Sequence, residues 1–182
     1  MRLRMSPCFL LIAALLLAGC PDEPPDSDAG HDGGADGTPP AIEVELGGRQ
    51  DGSFVKVTEE EPTLEVVSGF QGGYHIEPGL RMETIGAEEF ISVVEYRVTD
   101  AETGELLSSD PMSYRINQRA WNYEPGVGHF RVWEQVILNV VDPDDAAGRL
   151  VDIDVRVFVE GGLGEGTDSM TVRLINEVNE LR

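Results

Sequence analysis

A chain of 182 residues with 34 acidic and 13 basic side chains carries a formal net charge of −21 at pH 7. Such a surface repels nucleic-acid phosphates and anionic lipid headgroups, so nucleic acid is excluded as an expected partner. Its two cysteines, Cys8 and Cys20, are too few for a disulfide framework.

The first element is "MRLRMSPCFLLIAALLLAGC", in which Arg2 and Arg4 precede an apolar run from Phe9 to Ala18. That run is shorter than the about 20 residues a membrane-spanning helix needs, and its layout is that of an export signal. Leu17, Ala18, Gly19 and Cys20 resemble the lipobox of bacterial lipoproteins. The resemblance implies removal of residues 1–19 and a diacylglyceryl thioether on Cys20, with membrane attachment through that lipid alone. Cys8 leaves with the signal peptide, so a mature chain without a disulfide is expected. Pro21 stands where an aspartate would signal inner-membrane retention. This favours the outer membrane in a cell that has two.

Residues 20–40 comprise Cys20 and, at 21–40, "PDEPPDSDAGHDGGADGTPP", which has five prolines, six acidic residues and no apolar periodicity. Such a segment buries too little area to offset its ordering entropy. It is expected to be an acidic, disordered tether to a single domain over residues 41–182.

From Ala41 onward the chain reads as strands. "IEVEL" at 42–46, "SFVKV" at 53–57, "TLEVV" at 63–67, "YHIE" at 74–77 and "LRMETI" at 80–85 are short extended segments. Phe90, Val94, Tyr96 and Val98 then share one parity, with Glu95 and Arg97 on the other. Met112, Tyr114 and Ile116 alternate with Ser113, Arg115 and Asn117. "FRVWEQVILNVV" at 130–141 is long enough to bend or to form two strands. Val151, Ile153, Val155, Val157 and Val159 repeat with the period of two that marks a strand with one buried face, as do Met170, Val172 and Leu174. Glycine- and proline-bearing turns such as "GGRQDG", "YEPGVG" and "EGGLGEG" separate these segments. The expected fold is an all-β antiparallel sandwich of seven to nine strands, immunoglobulin-like in general architecture. A small barrel is the alternative, because alternation does not distinguish an open pair of sheets from a closed one.

The run "GFQGGYHI", an "LRM" strand and the later "EYRVTDAETGEL" hairpin resemble a broad group of uncharacterised β-sandwich lipoproteins from myxobacteria and their relatives. The resemblance covers residues 42–107 and implies location and fold only.

Three sets of residues carry candidate chemistry or recognition. If Tyr74 and Ile76 face the core, His75 and Glu77 point together to the other side of the strand, where they can share a hydrogen bond or a cation. With His129 and the soft ligand Met82 they would form a copper or zinc site; the alternative is a solvated or structural pair. Asp142, Asp144, Asp145, Asp152 and Asp154 offer the oxygen ligands calcium takes, but their spacing completes no calcium-binding loop. Trp121, Tyr123 and Trp133 form an aromatic cluster in sequence, read either as a protein-binding surface or as core packing. Trp133 has the opposite parity to Phe130 and Val132, which places it outside the main core unless the parity switches at a bulge or a second packed sheet covers it.

No serine lies in a nucleophile elbow, no thiol remains after processing, and "GGLGEG" lacks the lysine of a phosphate-binding loop. Neither catalysis, a cofactor nor a small-molecule substrate is therefore expected. The expected protein is a lipid-anchored component of the cell envelope, a structural or protein-binding module with an envelope protein as partner. A metal-binding envelope protein is the alternative.

Overall fold

The computed structural model describes residues 38–69 and 72–176. The export signal, Cys20 and the tether as far as residue 37 lie outside the described residues, as do Phe70 and Gln71. Numbered along the chain, the strands are β1 (Val44–Gln50), β2 (Ser53–Lys56), β3 (Thr63–Glu65), β4 (Val67–Ser68), β5 (Tyr74–Ile76), β6 (Gly79–Met82) and β7 (Ile91–Asp100). They continue as β8 (Met112–Asn117), β9 (Asn122–Glu124), β10 (Gly128–Arg131), β11 (Val136–Leu138), β12 (Leu150–Val159) and β13 (Gly164–Ile175). The only helices among the described residues are two three-residue 3-10 turns, Gln118–Ala120 and Pro143–Asp145, and none is long and apolar enough to cross a membrane.

The strands form three curled sheets with the orders β3-β13-β12-β7-β8, β2-β1-β6-β10-β9 and β11-β5-β4. All pairs are antiparallel except β3 with β13. The fold is all-β, with the sheets in a sandwich and half-barrel arrangement.

The longest alternation in the sequence makes the centre of the large sheet. Val151, Ile153, Val155, Val157 and Val159 of β12 are all buried, while Asp154 and Arg156 between them are exposed. Val155 lies opposite Tyr96 of β7 and Asp168 of β13. The same core holds Val44, Leu46, Leu80 and Met82 from the second sheet, with Ile76, Val136 and Leu138 from the small one.

Three segments bind the layers together by pairing with more than one sheet. Ile42 donates its N–H to the Glu165 carbonyl (2.9 Å) before the chain joins the second sheet as β1. Residues 63–68 pair first with β13 and then with β5, and the intervening Val66 donates to the Ile175 carbonyl at 2.8 Å. Leu107 donates to Val98 of β7 and accepts from Asn139, at 2.8 and 2.7 Å. Each crossing satisfies backbone groups that would otherwise be orphaned where two sheets meet.

Thirteen strands stand among the described residues where seven to nine are expected. The excess arises because crossing segments break into short pieces. Residues 63–67 divide at Val66, and residues 130–141 divide into the end of β10 and β11. Strand β13 also starts at Gly164 rather than near Met170, within a stretch that carries turn signals. Gly164 and Gly166 are needed there, since a Cβ on either would collide with Ile42. At the other end of β1, the Asp51–Gly52 turn has φ of 51° and 82°. Positive φ at both residues gives a two-residue hairpin whose twist matches its strands.

Candidate recognition face

Strand β5 delivers side chains to two faces, as period two requires. Ile76 is fully buried and Tyr74 packs against the core, while His75 and Glu77 take the other side. His75 Nε2 lies 3.3 Å from Glu77 Oε1. The pair is formed, and its histidine is buried rather than solvated. The cause is the turn before it. Gly72 and Gly73 have φ of 85° and 88°, Gly69 donates to the Gly73 carbonyl at 2.9 Å and Gly72 to the Gly69 carbonyl at 3.1 Å. This brings Gly69 against His75, so close that a Cβ there would lie 3.7 Å from Nδ1.

The other carboxylate oxygen of Glu77 accepts from Arg49 Nη1 at 3.2 Å. Arg49 comes from β1, just before the hairpin turn, and its Cζ sits 3.7 Å from the centroid of the Trp133 ring. Tryptophan, guanidinium, carboxylate and imidazole thus form one continuous contact chain from three separate parts of the sequence. Glu77 lies between a permanent cation and an imidazole, and a cation over an indole face is held by the ring quadrupole.

Trp133 belongs to the link 132–135 between β10 and β11. Along this link and β11, buried Val132, Glu134, Val136 and Leu138 alternate with exposed Trp133, Gln135, Ile137 and Asn139. Trp133 is 60% exposed, Ile137 50% and the next outward apolar residue, Val141, 93%. Ile137 stands opposite His75, which is in turn opposite Val67, so these three form a row across the small sheet.

The link is anchored from beneath. Glu134 is buried against Arg131, whose guanidinium also bonds the Ala120 carbonyl. Tyr114 of β8 donates to the Gln135 carbonyl, and the Ile137 N–H points to Met112 Sδ at 3.2 Å. These contacts fix the backbone from which Trp133 and Ile137 project.

The three aromatics expected to cluster do not share a surface. Trp121 is in the core, 6% exposed, with its indole N–H donating to Ser92 Oγ at 3.0 Å, so the reading of Trp121 as a contact residue is corrected. It follows a 3-10 turn and has no strand parity from which its burial could be read. Tyr123 is exposed but leans on His129, ring centroids 5.2 Å apart. His129 is buried edge-on to Phe90 at 5.1 Å. Burial lowers its pKa below the ordinary 6.5, with a backbone hydrogen bond at Glu83 opposing the shift.

The metal candidates fall in two places. His129 stands opposite Met82 across β10 and β6 of the second sheet, while His75 and Glu77 belong to the small-sheet region. Among the described residues no group of three or more His, Cys, Asp and Glu side chains is placed to hold a metal ion. The acidic loop has local work: Asp142 accepts from the Asp144 N–H at 3.0 Å and caps the 3-10 turn. Asp152 accepts from Thr171 Oγ1 at 2.6 Å.

No protein-family model and no curated protein matches the chain. Among solved structures it is similar to the CooA pilin subunit from enterotoxigenic Escherichia coli, at 11% identity and a TM-score of 0.35. That match covers 73% of this chain and 97% of the other. A likeness at this level transfers neither a fold family nor a function.

Proposed function

We propose that the chain is a lipid-anchored protein of the cell envelope, held through Cys20 and acting as a non-enzymatic protein-binding module. The outer membrane is the favoured site in a cell with two. The carrying observation is Trp133, a large aromatic side chain 60% exposed yet held in place by Arg49. Tryptophan and arginine are the residues on which interface energy most often concentrates, and a fixed aromatic loses little conformational entropy when a partner covers it.

The opposite layer supports this choice of face. On the outer side of the large sheet, Arg156 pairs with Glu165 at 2.8 Å and with Glu95 at 3.5 Å. That is a solvated polar surface, whereas the link 132–135 and β11 turn Trp133 and Ile137 to solvent. The lipobox-like residues and the acidic tether support anchoring at a distance from the membrane. The domain is also proposed to be immunoglobulin-like in general architecture, a reading supported by its antiparallel layers and sheet-crossing segments.

Chemical crosslinking in intact envelopes, followed by affinity capture, tests the reading. The wild type and Arg156→Ala should give one discrete heterologous adduct, and Trp133→Ala should lose it. Intact-mass analysis should also show removal of residues 1–19 and a lipid on Cys20. Equal capture by all three proteins would remove Trp133 from the docking surface, and an unlipidated Cys20 would remove the anchor.

A further inference from the structure

Resting on the docking-face reading above, we infer that the partner is a basic protein segment that places a lysine or arginine on the open side of Trp133 and an aliphatic side chain on Ile137. Arg49 covers the indole ring from one side at 3.7 Å, yet 60% of the residue stays exposed. A partner cation stacked on the ring face opposite Arg49 would meet the same favourable quadrupole. Arg49 does not oppose it strongly, because its own charge is compensated by Glu77 at 3.2 Å.

Long-range charge selects the same partner. The chain's net charge of −21 draws in cations and accelerates their encounter, within the Debye screening distance. It repels a second copy of this chain and an anionic lipid surface. Spacing supplies the remaining feature. Trp133 and Ile137 are four residues apart on a segment whose burial alternates with the period of a strand, roughly 13 Å when fully extended. An extended partner strand with a basic residue and an aliphatic residue four positions apart spans the same distance.

The test uses the full chain labelled with 15N and three peptides, acetyl-Ser-Ser-Arg-Ser-Thr-Ser-Val-Ser-Ser-amide and its versions with Gln or Glu in place of Arg. The chain has two tryptophans, so the indole N–H of buried Trp121 reports the fold while that of Trp133 reports the face. The arginine peptide should shift the Trp133 resonance and leave Trp121 unmoved, binding at least about tenfold more tightly than the Gln peptide. The Glu peptide should not bind. Raising salt from about 20 to about 200 mM should weaken binding severalfold, and Trp133→Ala should abolish it with the Trp121 resonance unchanged.

Equal affinity for the three peptides, or preference for Glu, would overturn the inference. So would movement of the Trp133 resonance on raising the protein concentration alone, which would indicate a second copy. The same holds for movement with vesicles of phosphatidylglycerol, which would indicate a lipid surface. If envelope crosslinking depends on Trp133 while the peptides show no charge preference, the docking face stands and the basic partner falls.

Discussion

Replacing Val155 with aspartate places a carboxylate at the centre of the large sheet. Val155 is 2% exposed, and its strand is flanked on both sides, by β7 and by β13. Losing the buried valine forfeits about 1.5–3 kcal/mol of apolar burial. An unpaired carboxylate there adds several kcal/mol, because its cross-strand neighbours are Tyr96 and the carboxylate-bearing Asp168, neither of which supplies a positive charge. The combined loss of about 5 kcal/mol or more is comparable with the whole stability of a domain, about 5–15 kcal/mol. Val155→Asp should therefore be largely unfolded at neutral pH. Val155→Ala should fold with a loss of about 2 kcal/mol. Arg156→Asp, one residue along on the solvated face, should fold with only a modestly lowered midpoint, because it exchanges the exposed pairs with Glu95 and Glu165 for a like-charge contact in solvent. Urea unfolding followed by far-ultraviolet circular dichroism measures all three. Similar losses for Val155→Asp and Arg156→Asp would show that both faces of β12 are covered and would refute the layering described here.

Trp121→Ala should cost about 3–5 kcal/mol, as expected for a buried tryptophan, whereas Trp133→Ala should cost less than about 1 kcal/mol; a reversed order in urea melts would contradict their placement. His129 has a pKa held below 6.5 by burial, so below 6.5 the unfolded chain takes a proton that the folded chain refuses. Its contribution to stability is full above 6.5 and is lost as pH falls toward the folded value; His129→Gln should flatten the change in urea midpoint between about pH 7.5 and pH 5, and an unchanged slope would assign it to other groups. Gly166→Ala pushes a Cβ into the Ile42 carbonyl and should destabilise by about 1–3 kcal/mol, whereas Gly48→Ala meets no atom within 4 Å and should be mild; equal melts would deny the close approach of residues 40–44 to β13.

Much of the large sheet was legible because its signal is local. The alternation from Val151 to Val159 and from Val94 to Val98 specifies which side is buried wherever the strands pair. The shared side of His75 and Glu77 and the outward parity of Trp133 follow from the same period. What joins them does not. Arg49 lies 28 residues from Glu77 in sequence, and nothing near it announces that the β1–β2 hairpin carries it to Trp133. The burial of His75 depends on how a glycine turn folds back, and the early start of β13 depends on Ile42 crossing between sheets. Trp121 illustrates the same limit. Its burial is set by the hydrogen bond to Ser92 and by the core around it, and both are long-range facts.

A photoreactive amino acid placed in turn at positions 133, 137 and 156 of the full chain, and activated in intact envelopes, tests the docking face most directly. Positions 133 and 137 should yield the same heterologous adduct, whose mapped peptide carries a lysine or arginine, and position 156 should yield none. An adduct from position 156 alone, or none from positions 133 and 137 in protein shown to be folded and lipidated, would contradict recognition through the outer face of the small sheet.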